Sequence, residues 1–68
     1  MKFEAGKSYR LVDPVGFKSE SPMNETYYRV RPELSEAKVV KCLQVTDGAI
    51  LDNHLFIYNR ERKYFEEI

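Results

Sequence analysis

A mostly β fold is what the sequence predicts: one small domain over residues 1–68, built on an antiparallel sheet of five to six short strands bent far enough to close. Three observations carry that expectation. Ser8-Tyr9-Arg10-Leu11 alternates polar and apolar residues at the period of a half-buried strand. β-Branched and aromatic residues cluster in short segments separated by Gly, Pro, Asp and Asn. Asp47-Gly48 stands between two apolar segments and suits a two-residue hairpin turn.

The first strand runs from Lys7 to Asp13, with Tyr9 and Leu11 on one face, Ser8 and Arg10 on the other, and Phe3 and Ala5 in phase with the apolar pair. Asp13-Pro14 ends it, because proline brings no N–H to a ladder. Val15 to Asn24, holding Gly16, Ser19, Ser21 and Pro22, reads as a long irregular loop pinned to the core by Phe17. Thr26 to Arg31 reads as a second strand, with Thr26, Tyr28 and Val30 on one face and Tyr27, Arg29 and Arg31 on the other. A helix is its rival: Ser21 can cap, Pro22 suits the first helical position, and Met23, Tyr27 and Val30 have helical spacing. Residue type favours the strand.

Pro32 to Glu36 is a turn or a single helical turn. Ala37 to Val45 follows as a central strand, apolar on both faces through Val39, Val40, Leu43 and Val45, and Ala49-Ile50-Leu51 returns from the hairpin. Asp52-Asn53 turns the chain into the strand Leu55–Tyr58, Arg60–Lys63 forms a polar turn, and Tyr64–Ile68 closes the domain as a last strand or short helix. The simplest closed form of these pieces is a small SH3-like barrel, with an OB-like barrel or an open α+β sheet as the alternatives.

Composition bounds the function. A chain of 68 residues buries only about 60% of its unfolded surface, so its core is thin. Four Phe and five Tyr are nevertheless too many large apolar side chains for a disordered segment. Cys42 is the only cysteine, which excludes an internal disulfide, and the polar start Lys2-Phe3-Glu4-Ala5-Gly6 is unlike a signal peptide. No apolar run approaches the ~20 residues of a membrane helix, so the expected location is the cytoplasm, and the sequon Asn24-Glu25-Thr26 is read as chance. Eleven basic and eleven acidic residues cancel, and they are interspersed along the whole chain. Such a surface has no broad field to draw in nucleic acid or an anionic membrane.

Gly6-Lys7-Ser8-Tyr9-Arg10-Leu11-Val12-Asp13, the loop ending in Gly16-Phe17, and the closing Arg62-Lys63-Tyr64-Phe65-Glu66-Glu67-Ile68 resemble the small SH3-like proteins of tailed bacteriophages. The resemblance implies a phage accessory protein that acts in the host cytoplasm on a host or phage factor by direct contact.

Catalytic chemistry finds little to work with. His54 is the single histidine, and Asp52 is its nearest acidic neighbour in sequence. No second histidine or cysteine cluster completes a metal site around them. A nucleophilic Cys42 would depend on that same histidine, and Val40-Lys41-Cys42-Leu43 reads as strand interior. Glu66 and Glu67 point to opposite faces of a strand, Glu33 and Glu36 read as a solvated pair, and the three glycines are too scattered to cradle a phosphate. The expectation is therefore no catalytic residue, no metal and no cofactor.

Two stretches interleave aromatic and basic residues, Tyr27-Tyr28-Arg29-Val30-Arg31 and Tyr58-Asn59-Arg60-Glu61-Arg62-Lys63-Tyr64. Tyr and Arg are enriched at protein–protein hot spots. Tyr27, Arg29, Arg31, Tyr58, Arg60 and Arg62 are accordingly the predicted partner-binding residues, with Phe17 and Tyr28 holding the scaffold. The leading expectation is a non-catalytic protein that modulates a larger protein by surface contact. Single-stranded nucleic acid is the alternative partner, since the same residues could stack bases and meet phosphates. Zero net charge demotes it. An assembly component or homodimer, pairing through an edge strand at Tyr64–Ile68, is a third reading. A proline-rich ligand is disfavoured by the absence of Trp.

Overall fold

The structure, a computed structural model, describes residues 2–68. Five strands form one antiparallel sheet: β1 (Ser8–Leu11), β2 (Val40–Val45), β3 (Gly48–Leu51), β4 (Leu55–Tyr58) and β5 (Phe65–Glu67), in the order β4-β3-β2-β1-β5. The alternation in β1 does what the sequence requires of it, burying Tyr9 and Leu11 while Ser8 and Arg10 stay partly exposed. Strand β2 is shared by two halves of the sheet. Its start pairs with β1 through Ser8↔Lys41 and Tyr9↔Val40, and its remainder pairs with β3 through Cys42↔Leu51 and Gln44↔Ile50. The register shifts between Cys42 and Gln44, and such a bulge bends a sheet.

The bend does not close a barrel, which corrects the expected architecture. Strands β4 and β5 are the two edges, and a 3-10 segment, Asn59–Tyr64, carries the chain from one to the other. Six residues at a rise of about 2.0 Å span roughly 12 Å, whereas four strand spacings of about 4.8 Å would separate the edges of a flat sheet by roughly 19 Å. The sheet must curl to be crossed by so short a link, yet its edges stay unpaired. The domain is an open α+β sheet, the last of the architectures the sequence allowed.

Three prolines shape the helical layer. Helices α1 (Pro14–Glu20), α2 (Pro22–Val30) and α3 (Pro32–Ser35) each begin on one, and the preceding Asp13, Ser21 and Arg31 all leave the helical region of the backbone. Proline pre-sets the first helical turn and pushes the residue before it towards extended backbone. The same three residues therefore start and separate the helices. Asp13 Oδ1 accepts the Gly16 N–H at 2.9 Å, and Ser21 Oγ accepts the Met23 N–H at 3.2 Å. The expected loop over Val15–Asn24 is thus α1 and the first turn of α2, and the expected strand over Thr26–Arg31 is mostly α2, the rival helix. Pro32–Ser35 is the single helical turn anticipated. It ends with Lys38 N–H on the Glu33 carbonyl and Ala37 N–H on the Leu34 carbonyl, the paired bonds of a left-handed cap, with Ala37 at φ 51°.

The core lies between this helical layer and the sheet. Phe17 from α1 and Leu34 from α3 meet Tyr9, Leu11, Cys42, Leu51, Leu55, Ile57 and Phe65, with Phe3 packed edge-to-face on Tyr9 and Phe65. Phe17 holds the helical layer down as predicted, its ring edge-to-face with Phe65 at 6.1 Å. Tyr28 packs against the same core, with the Lys18 ammonium 4.8 Å from its ring centre. The hairpin lies next to the expected turn and one residue earlier: Thr46 and Asp47 connect the strands, and Gly48 is already the first residue of β3. Gly48 does not have positive φ; it pairs with Tyr58, and a side chain there would run into the Ile57 carbonyl.

Candidate functional site

Helix α2 lies beside β4 and leaves a groove of ≈ 460 Å³ between them. Three features of the sequence build it. Met23, Thr26, Tyr27 and Val30 follow the i, i+3, i+4, i+7 spacing that puts them on one helix face. Phe56 and Tyr58, two apart on β4, form the facing wall, their rings edge-to-face at 4.9 Å. Asn24 and Glu61 make the floor. Asn24 Nδ2 donates to the Phe17 carbonyl at 2.8 Å and to Glu61 Oε2 at 2.5 Å, while Glu61 Oε1 accepts the Tyr58 N–H at 3.0 Å. That network ties both helices to the 3-10 segment and gives the buried Glu61 carboxylate a donor on each oxygen.

The apolar stripe of α2 is only partly spent on the core, which takes Tyr27 and leaves Met23 and Val30 outside. Met23 is 76% exposed, Val30 60% and Tyr58 44%, and all three line the groove. Helix α2 reaches the core with Tyr27 and Tyr28 and the floor with Asn24. A stripe turned away from the core is unusual for so small a domain, where every large apolar side chain is needed inside.

The predicted contact residues divide sharply. Tyr27 lines the groove and accepts the Phe56 N–H on its hydroxyl at 3.0 Å. Tyr58 lines it from the opposite wall, and the Arg60 guanidinium sits 4.4 Å from the centre of its ring. Arg60 stands at the rim, its Nε 3.6 Å from Glu20 Oε2. These three meet in one place.

Arg29, Arg31 and Arg62 do not. A strand would have carried Arg29 beside Tyr27, but two helical residues apart is about 200° around the axis. Arg29 instead borders a second hollow with Lys18, Glu25, Tyr28 and Ser35. Arg31 is committed within the chain: it pairs with Glu33 at 3.2 Å and donates to the Asn53 carbonyl at 2.7 Å. Asn53 in turn donates to Glu33 Oε2 at 2.9 Å. The Arg31 guanidinium, with the backbone next, holds the Glu33 carboxyl down at about 2. Arg62 is a core residue, 6% exposed; its guanidinium lies 4.7 Å from the Tyr9 ring centre and donates to the Phe65 carbonyl at 2.8 Å. Its aromatic neighbours are inside the protein.

Sequence reasoning missed Met23, Val30 and Phe56 as site residues. The spacing of Met23, Tyr27 and Val30 was the available signal, but it points to a core-facing stripe until the fold shows otherwise. The pairing of α2 with β4 has no signature in the sequence at all.

Asp52 Oδ2 accepts the Lys41 N–H at 2.8 Å, and His54 is exposed at positive φ. Cys42 is fully buried, and burial pushes its thiol up, away from the reactive thiolate. Among the described residues, no group of three or more His, Cys, Asp or Glu could hold a metal ion, and no helix is long and apolar enough to cross a membrane. Comparison with protein-family models, with curated proteins and with solved structures returned no match.

Proposed function

We propose that this chain is a small non-catalytic binding module that modulates a larger protein by seating part of it in the groove between α2 and β4. One observation carries the reading: the exposed Met23, Val30 and Tyr58 converge on a single groove whose rim holds Arg60. Exposed apolar clusters rimmed by polar groups mark interaction sites, and Tyr and Arg are over-represented among residues that dominate binding energy. Tyr27, Tyr58 and Arg60 are the contact residues retained from the sequence, joined by Met23, Val30 and Phe56. A host or phage factor is the partner suggested by the resemblance of Gly6–Asp13 and Arg62–Ile68. An SH3-like arrangement left open is the finer fold reading, supported by the strand order and the 3-10 link between the last two strands.

Immobilised protein should capture one dominant protein from a cell lysate. The double change Met23→Asp with Val30→Asp should abolish that capture, and Arg29→Glu, on the other side of α2, should leave it intact. Both aspartates replace exposed side chains, so circular dichroism should match the parent. Undiminished capture by the double variant would sink the groove as the site. Salt-sensitive binding of a single-stranded oligonucleotide in its place would move the reading to nucleic acid.

A further inference from the structure

We infer that the occupant of the groove is a short amphipathic helix of the partner carrying an acidic residue opposite Arg60, docked by side chains and not by strand addition. The inference rests on the groove being the binding site, and it identifies the chemistry of what fills it.

The first argument comes from the sheet edge. Strand β4 is an edge, and an incoming strand would pair with its outward N–H groups. Those groups are already taken. The Phe56 N–H donates to the Tyr27 hydroxyl and the Tyr58 N–H to Glu61 Oε1, each at 3.0 Å, while Leu55 and Ile57 alternate with them towards β3. A partner strand would have to displace a tyrosine and a buried carboxylate to gain two ordinary bonds. The donors of this edge are closed from within, and what remains on offer is side-chain surface and outward carbonyls.

The second argument is length. Met23 and Val30 are seven residues apart on one face, about 10.5 Å along the helix axis. A partner helix lying alongside presents anchors at i, i+3 or i+4, and i+7 over the same distance. An extended peptide covers 10.5 Å in about three residues and turns only alternate ones towards the groove. The helix therefore fills the trough with more apolar side chains per unit length.

The third argument is charge. Arg60 and Glu61 are the charged residues lining the groove. Glu61 is buried, with both oxygens engaged. Arg60 has a side chain 58% exposed; Glu20 approaches its Nε, and no second carboxylate among the described residues lies within ion-pair distance. The forked end of the guanidinium over Tyr58 is free for a carboxylate, which it meets in bidentate geometry. The accessible charge at this groove is positive, and its complement is acidic.

The test is selection of displayed random peptides on the full-length chain, with the Met23→Asp, Val30→Asp protein as the counter-target. Enriched peptides should place apolar residues three to four apart with an acidic residue flanking them. They should gain helical circular dichroism on binding and lose about 5-fold in affinity to Arg60→Glu. Enrichment of peptides that the counter-target no longer binds, but with alternating apolar residues, proline-rich sequence or basic flanks, would overturn the helical acidic occupant and keep the groove. Peptides bound equally by parent and counter-target, or no enrichment, would overturn both readings. A dimer in sedimentation that the double aspartate variant dissociates would assign the groove to a second copy of this chain and overturn the inference.

Discussion

Replacing Gly48 with alanine would set a methyl group against the Ile57 carbonyl oxygen, 2.9 Å from the Ile57 carbonyl carbon and 2.8 Å from Tyr58 Cα. All of these are backbone atoms of the neighbouring strand, so no side chain can swing aside. Overpacking of this kind costs about 1–3 kcal/mol. Alanine would otherwise stabilise a strand position by roughly 0.5–1 kcal/mol relative to glycine. The net loss is thus on the order of 1–2 kcal/mol, which in a domain of this size lowers Tm by about 5–15 °C. The strain falls on the pair Gly48↔Tyr58, so the aromatic wall of the groove moves with it, and partner capture should weaken well below the melting temperature. Thermal unfolding by circular dichroism measures the first effect, and Gly48→Asn separates the two explanations for the glycine. Were positive φ the requirement, asparagine would be the mildest replacement. Close approach makes it at least as damaging as alanine. A Gly48→Ala protein that melts no lower than the parent, or an asparagine variant that outperforms alanine, would refute the reasoning.

Three further outcomes are expected. Ala37→Gly should raise stability by about 0.5–1 kcal/mol in urea unfolding, because Ala37 caps α3 at φ 51° where an L side chain is strained. Glu33→Gln should flatten the acid limb of the stability curve: with its carboxyl held at about 2 against an ordinary 4.5, Glu33 contributes stability that is fully present above 4.5 and lost as pH falls towards 2. A hydrogen-bonded charge of this kind contributes about 1.5–3 kcal/mol at neutral pH, and urea midpoints at descending pH should converge for the two proteins. Tyr64 donates its hydroxyl to Glu20 Oε1, and that bond, with burial second, pushes it up to about 12. Its stabilising contribution is complete below an ordinary phenol's 10 and disappears as pH rises through 12, so Tyr64→Phe should remove the alkaline sag and the phase of the phenolate absorbance titration at about 12.

Much of the fold is legible along the chain, and the errors have specific causes. Alternation in Ser8–Leu11, the Asp47-Gly48 break and the short apolar runs around it locate four strands, while Tyr64–Ile68, open between a strand and a short helix, holds the fifth. Thr26-Tyr27-Tyr28-Arg29-Val30 misleads because its residue types favour strands, while the features that decide for helix, the Ser21 cap and Pro22, stand outside the segment. Asp13-Pro14 carries the same lesson. Read as the end of a strand it is correct, but the residue pair that ends β1 also caps and starts α1.

What the sequence by itself determined is local: the period-two alternation of β1, the strands on either side of the Asp47-Gly48 break, and the single helical turn after Pro32. Only the tertiary structure decided what those elements face. It buried Arg62 over Tyr9, turned Arg29 away from Tyr27, left the sheet open, and placed the Met23–Val30 stripe against Phe56 and Tyr58. The physical reason is that backbone propensity acts over neighbouring residues and can be read there. Burial is a competition among all the apolar surfaces at once, and here Phe17 and Leu34 fill the space over the sheet while α2 adds only the partly buried Tyr27 and Tyr28.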